Sequence, residues 1–105
     1  MRDAYRERRD AVVALLRSRD LFSYEPRGAF YLMLDISRSG LDGRTFALRL
    51  LDEEKVAVAP GTAFGDVARS QVRISLATEP SVLLEGVDRT CRMIARIVAG
   101  ATVGV

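Results

Sequence analysis

One arginine, Arg73, stands inside Val72-Arg73-Ile74-Ser75-Leu76-Ala77, a run whose other residues suit a β-strand. A guanidinium is costly to bury without an anion. Its planar fork matches a carboxylate, which it can hold through two parallel hydrogen bonds. On an alternating strand Val72, Ile74 and Leu76 share one face, and Arg73, Ser75 and Ala77 share the other. The first set suits a core, so the second could face a cleft with Arg73 as a carboxylate anchor. An arginine on a solvated sheet face, or in an internal salt bridge, fits the strand equally well. Phe30 and Tyr31 are the next candidates. Strand neighbours point to opposite faces, so one of the two aromatics must leave the core face, where it could line a pocket.

Other chemistry is excluded or weak. The chain has no histidine, so no imidazole base or ligand is available. The single cysteine, Cys91, can form neither an intrachain disulfide nor a cysteine-cluster metal site, and its place in a helical apolar pattern reads as a small core residue. The acidic residues form no compelling pair for acid/base work. Lys55, the only lysine, reads as a surface residue. Gly61-Thr62-Ala63-Phe64-Gly65 lacks the Gly-Lys-Ser/Thr ending of a phosphate loop and does not run into a helix. No catalytic, cofactor-binding or metal-ligating residue is therefore assigned.

The elements that must position Arg73 and Phe30 follow from periodicity. A helix is expected over Asp3–Arg19, with Tyr5, Val12, Leu15 and Leu16 on its apolar stripe and Arg8 at the margin. Leu21–Arg27 forms a connector. Ala29–Ile36 reads as a strand apolar on both faces. Ser37–Gly43 is a loop, and Asp42 can cap a helix over Arg44–Glu53. Val56–Ala59 and Gln71–Ala77 read as strands, with Phe64–Ser70 a loop between them. Thr78–Pro80 opens a last helix that runs to Ala99, with Gly100 as its stop. The expectation is an α+β fold: a small three-stranded sheet packed with helices, in the order α-β-α-β-β-α, and one domain over residues 1–105.

Bulk properties agree. The 105 residues are 49% hydrophobic with a net charge of +2, enough for one modest core. The arginines of the first helix alternate with Asp3, Glu7, Asp10 and Asp20, which reads as a solvated helix face rather than a nucleic-acid surface. No secretory signal or membrane-spanning run is visible. The expectation is a cytoplasmic protein with neither nucleic-acid nor membrane partners.

Four segments, in order, resemble a known family: Tyr5-Arg6-Glu7-Arg8-Arg9-Asp10, Pro26-Arg27-Gly28-Ala29-Phe30-Tyr31, Val56-Ala57-Val58-Ala59-Pro60-Gly61-Thr62-Ala63-Phe64-Gly65 and Val72-Arg73-Ile74-Ser75-Leu76-Ala77. Together they resemble the C-terminal small domain of the fold-type I, pyridoxal-phosphate-dependent aminotransferases of the aspartate aminotransferase-like class I/II group, over Tyr5 to Val98. The resemblance implies that Arg73 binds the α-carboxylate of an amino-acid or 2-oxo-acid substrate and that Phe30 lines the substrate site. It also implies that Pro60–Gly65 approaches the active site. The family's Ser-Lys segment is absent, Lys55 does not match it, and the cofactor-binding residues belong to a large domain. The implied partners are that large domain and, at full length, a second identical subunit. Pyridoxal 5'-phosphate belongs to the full-length enzyme and is not expected to bind this chain alone. Met1 is accordingly read as the start of a fragment or a truncated gene product, inactive by itself. The alternatives are a stand-alone domain that binds a small acid, and an interaction domain.

Overall fold

The structure, a computed structural model, describes residues 2–26, 29–61 and 68–103. Among the described residues, three helices, α1 (Arg2–Ser18), α2 (Gly43–Glu54) and α3 (Pro80–Val103), pack on a four-stranded antiparallel sheet. Its strands are β1 (Ser23–Tyr24), β2 (Tyr31–Asp35), β3 (Ala59–Pro60) and β4 (Gln71–Ser75), in the spatial order β1-β2-β4-β3. A 3-10 turn, Ser37–Ser39, ends at Gly40, whose φ of 77° is readily available only to glycine.

This fold corrects the expected three-stranded order. The extra strand, β1, lies in the predicted connector and is only two residues long, too short to show an alternation. The predicted strand Val56–Ala59 contributes only Ala59 to β3, which continues into Pro60. Proline is tolerated there because β3 is an edge strand. Both edges of the sheet are thus two residues long. The last helix passes through Gly100 instead of stopping at it.

The pairing of β2 with β4 builds the core. Leu32 stands opposite Ile74 and Leu34 opposite Val72, and all four are buried. Against them lie Val12 and Leu16 of α1, Phe46 and Leu50 of α2, and Leu83, Val87, Cys91 and Ile94 of α3. Each helix supplies an apolar stripe at three- and four-residue spacing, as one-sided burial requires. Asp42 caps α2, its carboxylate accepting from the Thr45 amide at 2.8 Å. That bond chiefly holds the Asp42 carboxyl below its ordinary pKa. Arg19, directly after α1, bridges to Asp88 of α3 at 2.7 Å, and Arg96 of α3 bridges to Glu53 and Glu54 of α2. Burial pushes the Cys91 thiol up in pKa, consistent with a core residue.

Gly43 is where α2 meets β4. Its amide donates to the Arg69 carbonyl at 2.7 Å, and an added Cβ would overlap the Gln71 carbonyl oxygen. Gly86, by contrast, lies inside α3, where an added Cβ would meet Val56 Cγ1 at an ordinary 3.6 Å. Gly43→Ala is expected to destabilise the chain by about 1–3 kcal/mol or more, while Gly86→Ala stabilises it by about 0.5–1 kcal/mol. Urea unfolding followed by circular dichroism measures both, and equal midpoints for the two variants would contradict this packing.

Candidate functional site

Arg73 lies on the face of β4 turned away from the helices. Val72, Ile74 and Leu76 are buried, while Arg73, Ser75 and Ala77 are exposed, so the predicted alternation is present. Arg73 stands mid-sheet, opposite Met33 of β2 on one side and Ala59 of β3 on the other. Its guanidinium carbon is 5.4 Å from the centroid of the Tyr31 ring, within cation–π range. The same face carries Tyr24, whose hydroxyl donates to Gln71 Oε1 at 3.1 Å. Met33, directly opposite both Tyr24 and Arg73 in the register, is only 2% exposed although it belongs to this outer face. Among the described residues, the surface beside Arg73 thus carries the aromatic rings of Tyr24 and Tyr31 and the thioether of Met33.

Phe30 sits just outside β2 and is 60% exposed. Its backbone carbonyl accepts from the Leu76 amide at 2.9 Å, which ties the entrance of β2 to the end of β4. Its ring stacks on Tyr5 of α1, with centroids 4.6 Å apart. Because the strand starts at Tyr31, Phe30 escapes the alternation, and neither aromatic enters the core. Arg73 and Phe30 are linked through Tyr31, which follows Phe30 in the chain and lies beneath the guanidinium.

Arg8 was legible only as a marginal, solvated residue, and the structure corrects that. Its Nη1 donates to the Leu76 carbonyl at 3.1 Å, and its guanidinium lies 5.5 Å from the Tyr5 centroid. Its Nε is buried. Arg8 thus braces the strand end that also holds Phe30. The signal for it was the Tyr5-x-x-Arg8 spacing, which places the two side chains on one helix face. Tyr24 and Gln71 had no comparable signal, since their contact depends on the unpredicted β1.

The segment 55–58 leaves a trough of about 320 Å³ against β4 and α3, lined by Lys55, Ser75, Thr78, Glu85 and Arg89 among others. Its charged groups are already committed. Lys55 Nζ donates to the Asp52 carbonyl at 2.8 Å, and Arg89 donates to the Glu54 carbonyl and to Glu85 at 2.9 Å each. Pyridoxal phosphate needs an amine to carry it, an acid at its ring nitrogen and donors for its phosphate. The described residues do not fit that group. Among them no cluster of metal-ligating side chains occurs, and no helix is long and apolar enough to cross a membrane. Arg27, Gly28 and Thr62–Gly65 lie outside the described residues. Of the predicted Pro60–Gly65 loop, Pro60 is in β3 and Gly61 is buried.

Comparison with known proteins gives a consistent answer. The family model for aminotransferase class I and II matches residues 1–89. An aspartate aminotransferase of Pyrococcus horikoshii is 41% identical over 90 residues, which is 85% of this chain and 23% of that protein. An arginine–pyruvate transaminase of Pseudomonas aeruginosa is 42% identical over 96 residues, 90% of this chain and 23% of that protein. The crystal structure of an aromatic aminotransferase from Pyrococcus horikoshii superposes with a TM-score of 0.83 at 38% identity, covering 91% of this chain and 26% of that one. The chain spans about a quarter of the length of the curated relatives it matches.

The exposure of Phe30 separates its role from the core's. Phe30→Ala is expected to lower stability by no more than about 1.5 kcal/mol, the scale of the lost aromatic pair. Leu32→Ala, two positions on and fully buried, should cost about 2–5 kcal/mol. Urea midpoints of the two variants check this, and a larger loss for Phe30→Ala would make it a structural residue.

Proposed function

This chain belongs to the class I and II aminotransferase family, and on that premise we propose that it is the substrate-carboxylate-binding, C-terminal small domain of a pyridoxal-phosphate-dependent enzyme that moves an amino group from an amino acid to a 2-oxo acid. Arg73 grips the α-carboxylate through its fork, and Phe30 packs against the bound substrate. The observation that carries this reading is a guanidinium standing mid-sheet on the face turned away from the helices, beside aromatic side chains. A rigid β-ladder holds its Cα on both sides, so the cation is offered from a fixed base.

The cofactor in such enzymes draws electrons from the bond made labile at Cα. The residues of this chain do something else: Arg73 sets the orientation of the acid group, and Phe30 with Tyr5 supplies an apolar wall that keeps water from one side of it. A large domain supplies the amine and the cofactor site, a second identical subunit completes the enzyme, and the assembly works in the cytoplasm. The exposed Tyr24 and Phe30, at 52% and 60%, support a face that another domain covers.

Two measurements test this reading. The 105-residue chain, mixed with pyridoxal phosphate, aspartate and 2-oxoglutarate, should show no amino transfer above a no-protein control; turnover would overturn the division of labour. The second uses a chimera in which residues 2–98 replace the matching segment of the Pyrococcus horikoshii aspartate aminotransferase. There Arg73→Ala should raise KM for aspartate and cost about 2–5 kcal/mol in kcat/KM. Arg73→Lys, which keeps the charge and loses the fork, should fall between. An unchanged kcat/KM in Arg73→Ala would remove the assignment.

A further inference from the structure

We infer, on the reading of Phe30 as a substrate contact, that Arg8 is the positioning residue for its ring: from α1 it holds both supports of Phe30, the Tyr5 ring and the Leu76 backbone. Phe30 precedes β2 and is 60% exposed, so the ladder does not fix its side chain. Two contacts do. Its carbonyl accepts from the Leu76 amide at 2.9 Å. Its ring stacks on Tyr5, with centroids 4.6 Å apart and planes inclined by 35°. Arg8 touches both supports. Its Nη1 donates to the Leu76 carbonyl at 3.1 Å, and its guanidinium carbon lies 5.5 Å from the Tyr5 centroid. Phe30, Leu76, Arg8 and Tyr5 thus close a ring of contacts between α1 and the sheet.

The neighbouring arginine shows what is particular to Arg8. Arg9 pairs with acids, Asp10 at 3.1 Å and Glu25 at 3.0 Å. Among the described residues Arg8 instead meets a carbonyl and a ring, and its Nε is buried. A guanidinium can serve both at once, because its donors lie in its plane and its face is left for the ring. Tyr5 and Arg8 stand three positions apart on α1, so one helical turn presents them together. The bond to Leu76 fixes the backbone pivot of Phe30, and the stack on Tyr5 fixes its ring. An exposed aromatic otherwise samples several rotamers, which a bound substrate must first collect into one. Tyr5 takes one face of the Phe30 ring, and the exposed remainder is left for the substrate. Removing the guanidinium loosens both supports while leaving Phe30 itself in place.

The test has two arms. In the 105-residue chain, the Phe30 ring protons should resonate upfield through the Tyr5 ring current. Arg8→Met, which keeps the apolar stem and removes the guanidinium, should move them back toward the positions of an unstacked ring. Arg8→Lys, which keeps a cation with donors, should retain part of the shift. If Arg8→Met does not fold, Arg8→Gln, which keeps one donor for Leu76 and removes the cation, gives the same reading at smaller amplitude. Phe30 resonances unmoved in the folded variant overturn the inference. In the aspartate aminotransferase chimera, Arg8→Met should raise KM for aspartate about two- to fivefold with kcat held within about twofold, and Arg8→Lys should fall between. In a Phe30→Ala background, Arg8→Met should have no further effect on KM, although it still lowers the melting temperature. A lowered melting temperature with KM unchanged would make Arg8 a structural brace alone and overturn the inference, as would equal KM losses in both backgrounds. A Phe30→Ala chimera with unchanged KM would remove the substrate wall itself, and this inference with it.

Discussion

The alternation of β4 between two environments is the constraint on which this domain depends. Val72 and Ile74 are buried against α2 and α3, and that burial fixes the strand's register against β2. Slipping the pairing by one residue would put Arg73 into the core and Val72 into water, exchanging a buried apolar set for an unpaired charge. The apolar core therefore determines which way the cation points. The packing of the helices on the other side of the sheet does that from a distance.

Much of this was readable in advance. The alternation Val72–Leu76 predicted the two faces, Asp42 predicted the start of α2, and Pro80 predicted the start of α3. The family was readable from four short segments, and the comparisons support it at the level of class I and II aminotransferases. What the sequence concealed has a common cause. β1 is two residues long, and Val56–Val58 carries a strand-like pattern without strand pairing, because pairing is decided by where α2 and α3 place that segment and not by its own residues. Arg8 was hidden for the complementary reason: its charge pattern matched a solvated helix, and only the tertiary approach of Leu76 gave one of its donors a carbonyl.

Arginine also joins the helices to one another. Arg19 ties α1 to α3, Arg96 ties α3 to α2, and Arg89 reaches the Glu54 carbonyl at the end of α2. Each of these links is exposed or half-buried and contributes little alone. Their value lies in geometry: a guanidinium has several donors in one plane and can hold two acceptors at once, as Arg89 and Arg96 do. A chain with fifteen arginines and one lysine fastens its helices with one side-chain type.

The brevity of both sheet margins has its own effect. A margin of two residues, one of them Pro60 and so lacking an amide hydrogen, offers almost no ladder on which a second chain could continue the sheet. Stickiness in the described residues then comes from exposed apolar side chains, Phe22, Tyr24, Phe30, Leu48, Leu51 and Val82, rather than from the sheet's backbone. Contacts of that kind form and dissolve by side-chain burial alone, so crowding at high concentration should yield soluble clusters that dilute away, and not fibrous deposits.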